Sequence, residues 1–389
     1  MALKYLLGPV SADWAARYWG GPRERGECLA FNAAGDADVR VGPGDSWADV
    51  EARLPGGWRS DAVFLYLAYS TVPHALWSAP VPLVGLAADW NLLWHGYRLV
   101  LPGCERVLTD APGVEVMHRC GWKHGRIANL YGPEPALLGL PLDGPERDID
   151  VLFVGNLHPA VQRERLPWLG RLARLAGRRV AIRTGVWDDA YRDLLLRSRI
   201  VFNRSVRGEC NRRAFEAACC GALLFQERGN AETAAVFRNG EECVCYGEND
   251  LAGLLEHYLS HEEERRALAA AAHARVQAFG FEALWREALA ALEAEWPVIR
   301  EAAARRPRPD AEARLLARTW QALGCDGPPD PTLWADLDAV LAERPRYPSL
   351  HHARGLVAGL AARTDGPGSP ASAAQAAGCF RRALECDSD

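Results

Sequence analysis

The sequence predicts an α/β protein with two doubly wound parallel sheets, followed by an all-helical C-terminal tail. Short apolar runs alternate twice along the chain with segments of helical spacing, and this strand–helix–strand alternation is typical of parallel sheets. Beyond about residue 300 the alternation stops and only helical patterns follow. At about 150 residues per domain, 389 residues suggest two to three domains.

The first predicted domain covers residues 1–140. Four apolar runs, each ending in small or polar residues, predict buried strands: LKYLLGPV, DAVFLYLAYS, VPLVGLAADW and ERVLTDA. Between the first two, SWADVEARL has the spacing of a helix. A stretch rich in Pro and Gly, residues 133–148, is the predicted linker to the next domain.

The second predicted domain covers residues 150–300. DVLFVGNL, RVAIRTG, IVFNRS and ALLFQE predict strands, and they alternate with the predicted helices VQRERLPWLGRLARLAG, YRDLLLRSR and NRRAFEAACCG. Long helices with Glu/Arg pairs follow as far as residue 299. Because parallel sheets bind ligands at the carboxyl ends of their strands, we expect a ligand cleft with the two domains facing across it.

The predicted tail covers residues 312–389, after a second linker at Ala302–Arg314. The spacing from Gly355 to Ala361 and the ending Ala383-Leu384-Glu385 resemble tetratricopeptide helices. At most about two repeats are visible, fewer than the three or so that a free-standing array needs. Because such helices present extended binding surfaces, the tail suggests a protein or peptide acceptor or partner.

Composition and charge exclude several classes of protein. A content of 49% hydrophobic and 24% charged residues excludes disorder throughout. The formal net charge of −5 disfavours a broad basic face for nucleic acid. No apolar run approaches the roughly 18 residues that cross a membrane, and the N-terminus resembles a strand rather than a signal peptide. Eleven cysteines without a CxxC spacing favour reduced thiols, no metal site and a cytoplasmic location.

The stretch Ile200–Glu227 carries the strongest indication of chemistry. A predicted strand ends at Asn203 and a polar loop follows it. Asn211 is then a good N-cap for a short helix that stops at Gly221. The unpaired N–H groups that open such a helix attract anions.

Charged residues in the same helix suggest what that anion is. Arg212 and Arg213 lie beside the helix start, so the sequence predicts a diphosphate site there. Glu216 lies about one turn further on, where its carboxylate can accept hydrogen bonds from ribose hydroxyls. The alternative is an ordinary capped helix in an α/β domain.

This helix resembles the signature of the group-1 and spore-maturation-type glycosyltransferases, which have the GT-B fold. Their signature is an N-x-R-x-F-E-like helix followed by A-x-x-x-G and a strand. This chain supplies Asn211, Arg213, Phe215, Glu216, Gly221 and then ALLF. The resemblance continues through VFRNGEECVCYGENDLAGLLEHYLSHEEERRALA and covers residues 150–278 well and 4–135 weakly. It implies two Rossmann-like domains and a nucleoside-diphosphate sugar as the donor.

The spacing of two glutamates departs from the family pattern. Group-1 enzymes usually have seven residues between them, whereas six separate Glu209 from Glu216. In the family the first glutamate touches the donor sugar and the second the ribose. The resemblance therefore assigns Glu216 to the ribose, with Glu209 as the displaced counterpart of the first.

A second group of candidates follows the strand DVLFV. Gly155 permits close approach of a ligand to the backbone, and Asn156 and His158 follow it. Arg163 or Arg165 can meet a β-phosphate as a bidentate donor. The alternative is a plain strand-to-helix turn with solvated arginines.

The candidate catalytic residues lie in the first domain. Asp89 follows a predicted buried strand, and the related transferases have an aspartate or histidine at such a position. Asp89 would take the acceptor proton as general base, with His95 as the alternative base. In the competing interpretation Asp89 caps the next helix, and His95 packs among Trp90, Trp94 and Tyr97.

Together these features predict a metal-independent GT-B hexosyltransferase that moves a sugar from a nucleoside-diphosphate sugar to an acceptor. No DxD-type pair stands in a suitable loop, so helix dipole and arginine charge would take the place of a metal. Two alternatives stay open. One is a GT-B-fold nucleotide-sugar epimerase or hydrolase, and the other is a catalytically silent scaffold whose repeats bind a protein.

Overall fold

The computed structural model describes residues 3–42, 45–142, 144–158, 162–306, 311–323, 331–364 and 370–387. The chain divides into two compact units. Unit 1 comprises Met1–Thr109, Met117–Arg126 and Leu289–Asp389, and unit 2 comprises Asp110–Val116 and Ile127–Ala288. The domain limits given above, at residues 140, 150, 300 and 312, stay predictions.

Strands and helices alternate over the first 250 residues, and only helices follow. The strands are β1 (Tyr5–Gly8), β2 (Cys28–Asn32), β3 (Val39–Arg40), β4 (Ala62–Tyr66), β5 (Leu83–Leu86), β6 (Arg106–Thr109), β7 (Gly125–Ile127), β8 (Ile149–Val154), β9 (Val180–Arg183), β10 (Ser198–Phe202), β11 (Leu223–Glu227) and β12 (Val244–Tyr246). The described helices are α1 (Ala12–Glu24), α2 (Trp47–Ala52), α3 (Trp90–Val100), α4 (Ala111–Arg119), α5 (Leu166–Leu172), α6 (Asp188–Leu196), α7 (Arg212–Cys219), α8 (Ala231–Val236), α9 (Leu251–Ser260), α10 (Glu262–Val276), α11 (Phe281–Ala294), α12 (Trp296–Ala304), α13 (Ala311–Leu323), α14 (Pro331–Glu343), α15 (Pro348–Thr364) and α16 (Pro370–Asp387).

Unit 1 contains a seven-stranded sheet in the order β3-β2-β1-β4-β5-β6-β7. The pairs from β3 to β6 are parallel, and this order is that of a doubly wound fold. The four predicted strands of this half are confirmed as β1, β4, β5 and β6. They are buried almost throughout, because helices cover both faces of such a sheet. The predicted helix in SWADVEARL is α2, which Ser46 and Asp49 open with a capping box.

Unit 2 contains a five-stranded parallel sheet in the order β12-β11-β10-β8-β9. The predicted strands of this half are confirmed as β8 to β11. From β8 the chain moves outward to β9 and then returns past β8 to β10. The strand order therefore reverses between β8 and β10. In open α/β sheets a crevice forms at such a reversal, beyond the carboxyl ends of the strands, and ligands bind there.

The C-terminal helical pattern predicted from the sequence is confirmed as α13 to α16. α15 and α16 pack closely, since a Cβ atom on Gly355 would lie 2.5 Å from the ring of Phe380. The segment TDGPGSP between α15 and α16 lies mostly outside the described residues. None of the described helices combines the length and the apolar character that crossing a membrane requires. The ten cysteines of the described ranges carry free thiols, seven of them buried.

Arg306, within the predicted second linker, is bound to the sheet of unit 1. Its guanidinium donates to both carboxylate oxygens of Glu105, at 2.6 and 2.7 Å. It also donates to the carbonyl oxygens of Ala79 and Val81, at 3.0 and 2.8 Å. Both side chains of the ion pair are almost fully buried. Removing one partner of such a pair leaves an uncompensated buried charge, which costs about 3–5 kcal/mol.

We therefore expect Arg306→Ala to lower the free energy of unfolding of unit 1 by about 3 kcal/mol. The neighbouring Arg305 is the matched control, because it makes only an exposed pair with Glu301. Arg305→Ala should change the free energy of unfolding by less than about 0.5 kcal/mol. Urea unfolding of both variants measures the difference. Equal stability of the two variants would show that the Glu105 pair does not hold this segment.

Candidate active site

The crevice of unit 2 lies between the ends of β8 and β10. Gly155 follows β8, and a Cβ atom there would lie 2.4 Å from Nη2 of Arg213 and 3.1 Å from the ring of Phe153. A side chain larger than that of glycine at this point would require the Arg213 guanidinium to shift. The sequence predicts that a ligand approaches the backbone closely at Gly155. In the structure the side chain of Arg213 takes that space.

Three guanidinium groups gather around two aromatic rings beside this crevice. Those of Arg165 and Arg213 lie 5.2 and 4.6 Å from the ring centre of Phe153. That of Arg204 lies 4.8 Å from the ring of Trp168. We call Arg165, Arg204 and Arg213 the arginine cluster. Within the described ranges, none of the three forms a direct ion pair with a carboxylate, although the charges of Glu209 and Glu227 act on Arg165 from a greater distance.

Arg165 is the most buried member, with 6% of its surface exposed. It donates to the carbonyl oxygens of Asn156 and Arg204, at 3.2 and 2.9 Å. Its buried Nε atom has no protein partner in the described part of the chain. Burial and the neighbouring charge of Arg213 lower the pKa of Arg165 to about 10, so it remains charged at neutral pH. A bound anion would offset both the cost of burying the charge of Arg165 and its repulsion from Arg213.

Arg213 is held in place by residues at the carboxyl ends of β8 and β10. Its Nε donates to the carbonyl of Val154 at 2.8 Å, and its Nη1 donates to Oδ1 of Asn203 at 2.6 Å. Asn203 is fully buried, and its amide donates to Gln226 at 2.7 Å and to Asn211 at 3.1 Å. Asn203, a candidate donor-binding residue, therefore positions Arg213, and its contact with the donor stays a prediction.

Helix α7 begins directly after Asn211, as the sequence predicts. The side chain of Asn211 bonds to Asn203 and does not cap the helix, so the first turn has no side-chain cap. Arg212 and Arg213 are the first two residues of this turn, and both are half-exposed. The helix ends in a Schellman motif, in which Gly221 has a φ of +66° and its N–H donates to Ala218.

Glu216 lies one turn into α7 and is 8% exposed. Its Oε2 atom accepts a hydrogen bond of 2.9 Å from the hydroxyl of Tyr191 in α6. Burial raises the pKa of Glu216, while the charges of Arg212 and Arg213 oppose the rise. The carboxylate is therefore held in one orientation, with a charged neighbour on the side of the helix start.

Glu209 occupies a different place. It is buried, and its two oxygens accept hydrogen bonds from the backbone N–H groups of Val206 and Arg207, at 3.3 and 3.0 Å. Arg207 in turn donates to Asp110 at 2.6 Å and to the hydroxyl of Tyr131 at 2.7 Å. Glu209 thus closes a tight turn in the loop after β10.

The remaining candidates of unit 2 lie on the surface around the β8 loop. Asn156 is exposed, and its Oδ1 accepts from the backbone N–H of His158 at 2.8 Å, which folds the loop back on itself. His158 and Arg163 are both exposed. Of the two arginines proposed for this loop, the structure brings Arg165 into the cluster and leaves Arg163 at the surface.

Asp89 and His95 lie in unit 1. Asp89 precedes α3 with a φ of +48° and does not cap the helix with its side chain. It accepts a 3.3 Å hydrogen bond from the hydroxyl of Tyr69, which also has a positive φ of +53°. The ring of His95 stacks on Trp320 of α13, with 5.7 Å between centres and 25° between planes. This contact with α13 differs from the packing among Trp90, Trp94 and Tyr97 considered above.

Comparison with known families now bears on unit 2. Residues 146–289 match the family model described as glycosyl transferase-like. This stretch is a glycosyltransferase-like domain. It contains the crevice, the arginine cluster and Glu216. No curated protein sequence matches the chain.

Several solved structures resemble about three quarters of the chain at low identity. HepE of Anabaena in complex with UDP and glucose matches at 13% identity, over 75% of this chain and 100% of its own, with a TM-score of 0.46. The sucrose-phosphate synthase of Thermosynechococcus elongatus matches at 14% identity, over 77% and 100% of the two chains, with a TM-score of 0.46. An alpha-glucosyltransferase in complex with UDP-glucose and DNA matches at 8% identity, over 76% and 98%, with a TM-score of 0.47.

Three residues of the glycosyltransferase-like domain were not among the sequence candidates. Arg204 directly follows Asn203. Its positive charge at the end of a strand is the feature of the sequence that could have identified it as a candidate. Tyr191 lies 25 residues before its partner Glu216, and no spacing rule connects them. Trp187, which precedes α6, is 75% exposed, and its carbonyl accepts the backbone N–H of Tyr191 at 3.2 Å.

Proposed function

We propose that this chain is a glycosyltransferase that moves a hexose from a nucleoside-diphosphate sugar to a hydroxyl-bearing acceptor. The single observation that carries the proposal is the arginine cluster, which has no direct ion pair, at the strand-order reversal of a glycosyltransferase-like domain. A buried cation without a direct ion pair, such as Arg165, is costly, and a bound diphosphate would supply a partner of opposite charge.

In this proposal the arginine cluster and the start of α7 bind the diphosphate. Arg165 and Arg213 supply charged donors, and the backbone N–H groups that open α7 supply a positive helix end. During transfer the bond between the sugar and the diphosphate breaks, and its electron pair stays with the diphosphate. Fixed positive charge at that point stabilises the leaving group, so the proposed mechanism needs no metal.

Glu216 and Trp187 would hold the nucleoside. Tyr191 fixes one oxygen of Glu216, and the other faces the ribose hydroxyls in this proposal. Trp187 directly precedes α6, the helix that carries Tyr191, and its ring is open to solvent. An exposed indole there suits stacking on a nucleobase.

The acceptor would bind unit 1. Asp89 takes the proton of the acceptor hydroxyl as its oxygen bonds to the anomeric carbon, and His95 is the alternative base. The neighbouring backbone outlier at Tyr69, whose hydroxyl donates to Asp89, supports a functional role there. The tetratricopeptide-like nature of the tail, a protein or peptide acceptor, the spore-maturation subtype and a cytoplasmic location are parts of the same proposal.

A thermal-shift screen with UDP, GDP, TDP and CDP tests the donor site directly. At least one nucleoside diphosphate should raise the melting temperature, and the free nucleoside should do so much less. The matching nucleotide sugars then go into a donor-only assay. Consumption of donor without acceptor would favour the epimerase or hydrolase alternative. The absence of any nucleotide-dependent shift would favour the silent scaffold.

Gly155→Ala is a sharper test of the same site. A methyl group there would displace Arg213, so we expect affinity for the preferred nucleoside diphosphate to fall by about tenfold. The matched control is Gly253→Ala in α9, where nothing lies within 4 Å of the added atom. Calorimetric titration of both variants measures the effect. Unchanged affinity in Gly155→Ala would show that Arg213 does not contribute to binding of the diphosphate.

A further inference from the structure

Unit 1 contains a pocket of about 210 Å³, and His95 is the one lining residue to which a role has been assigned above. It lies beyond the carboxyl ends of β4 and β5, where α13 packs on α3. The two helices approach closely, since a Cβ atom on Gly96 would lie 3.6 Å from Cβ of Trp320. Its walls include the side chains of Leu92, Leu93, Trp320 and Leu323.

Polar groups stand on one side of this apolar pocket. Tyr69 and His95 both line it, and the hydroxyl of Tyr69 donates to Asp89 at 3.3 Å. The pocket therefore combines an apolar interior with a few directed polar groups, which is the usual composition of a small-molecule site.

The backbone at this edge is strained. Tyr69 has a φ of +53° and Asp89 has a φ of +48°, and neither is a glycine. For a bulky residue such as tyrosine this conformation is a rare outlier, whereas aspartate adopts it more readily. Backbone outliers of this kind cluster at ligand sites.

We propose that this pocket binds a planar aromatic group that carries a hydroxyl. A cavity of about 150 Å³ accommodates benzene, so this larger pocket has room for a substituted or fused ring. The indole of Trp320 already stacks with one flat ring, that of His95. Aromatic faces pair favourably with further aromatic groups, whereas a hexose would leave its hydroxyls without partners against the leucines.

The inference deepens the proposed function and rests on it for one step only. If the ligand is the acceptor, its hydroxyl oxygen bonds to the anomeric carbon, and its proton passes to Asp89. The binding of an aromatic group to unit 1 does not depend on that step. Because α13 supplies Trp320 and Leu323, the C-terminal helices would also set acceptor specificity.

Titration of the full-length protein with 2-naphthol, without any nucleotide, tests the inference. We expect saturable binding with one site per chain, and clearly weaker binding of cyclohexanol and methyl glucoside. Leu92→Glu should weaken binding of 2-naphthol by tenfold or more, because it places a charge beside the apolar wall. Trp320→Leu should weaken it as well, by removing the stacking face.

Leu166→Glu is the matched control. Leu92 and Leu166 are both helical leucines with 37% of their surface exposed, but Leu166 lies in unit 2. Circular dichroism confirms that each variant is folded. An equal loss in both leucine variants, non-saturable binding, or a preference for methyl glucoside would overturn the inference. Failure of the nucleotide screen would leave this titration unaffected, so the two proposals are separable.

Discussion

Arg213→Gln is expected to weaken binding of the preferred nucleoside diphosphate by about 10- to 100-fold. A hydrogen bond to a charged group contributes about 1.5–3 kcal/mol. The variant would also lose the contact between the guanidinium of Arg213 and the ring of Phe153. Glutamine keeps a polar group that can meet Asn203, so the crevice should keep its shape. Isothermal titration calorimetry measures the change in affinity, and turnover should fall in parallel.

The matched control for this variant is Arg171→Gln. Arg171 also stacks on an aromatic ring, 4.9 Å from the centre of Trp168, but its charge is compensated by Glu248 at 2.7 Å. Arg171→Gln should leave the affinity for the nucleoside diphosphate unchanged. If both variants lose affinity equally, the effect comes from general surface charge rather than from the arginine cluster.

Glu216→Ala is expected to abolish turnover while the protein stays folded. The carboxylate is the proposed ribose ligand, and its removal also leaves the hydroxyl of Tyr191 without a partner. Glu216→Gln is the gentler variant, because it keeps the shape and an acceptor oxygen but removes the charge. It should lower kcat/KM by about tenfold or more, and Tyr191→Phe should have a smaller effect.

The raised pKa of Glu216 distinguishes a functional loss from unfolding. A carboxyl group whose pKa is higher in the folded state than in the unfolded state binds its proton more tightly when folded. Its ionisation therefore destabilises the fold as pH rises toward neutrality. Glu216→Gln should be at least as stable as the wild type at pH 7, as measured by urea unfolding. Wild-type turnover in either Glu216 variant would remove this residue from the site.

Strand positions and the ends of α7 could be predicted because each depends on local sequence. Fully apolar runs such as Tyr5–Gly8 can only be buried, and Gly221 supplies the positive φ that ends the helix. Shorter or more mixed strands, such as β3 and β12, have too few residues to show a period. The sequence therefore missed three of the four edge strands, β3, β7 and β12, together with β2, which pairs with β3.

The candidate site was predictable only in part, because its geometry depends on contacts between distant elements. Motif and resemblance pointed to Arg213 and Glu216, and the structure places both on one face of α7. Arg165 joins Arg213 only through the order of β8 and β10, which no local pattern encodes. The same holds for Tyr191, which reaches Glu216 because α6 and α7 lie side by side.

Local spacing does not show which groups hold Glu209. Its position near that of a family glutamate predicts a donor contact, and in the structure its two oxygens accept backbone N–H groups of its own turn. Each carboxylate oxygen can accept a second hydrogen bond, so the donor contact stays a prediction.

The central claim is that a nucleoside diphosphate binds at the strand-order reversal of unit 2, on the arginine cluster. A crystal structure of the full-length protein with the nucleoside diphosphate selected by the thermal-shift screen tests it most directly. The account predicts diphosphate oxygens within hydrogen-bonding distance of the Arg165 and Arg213 guanidinium groups. A diphosphate bound elsewhere, with both arginines keeping only their present protein contacts, would contradict it.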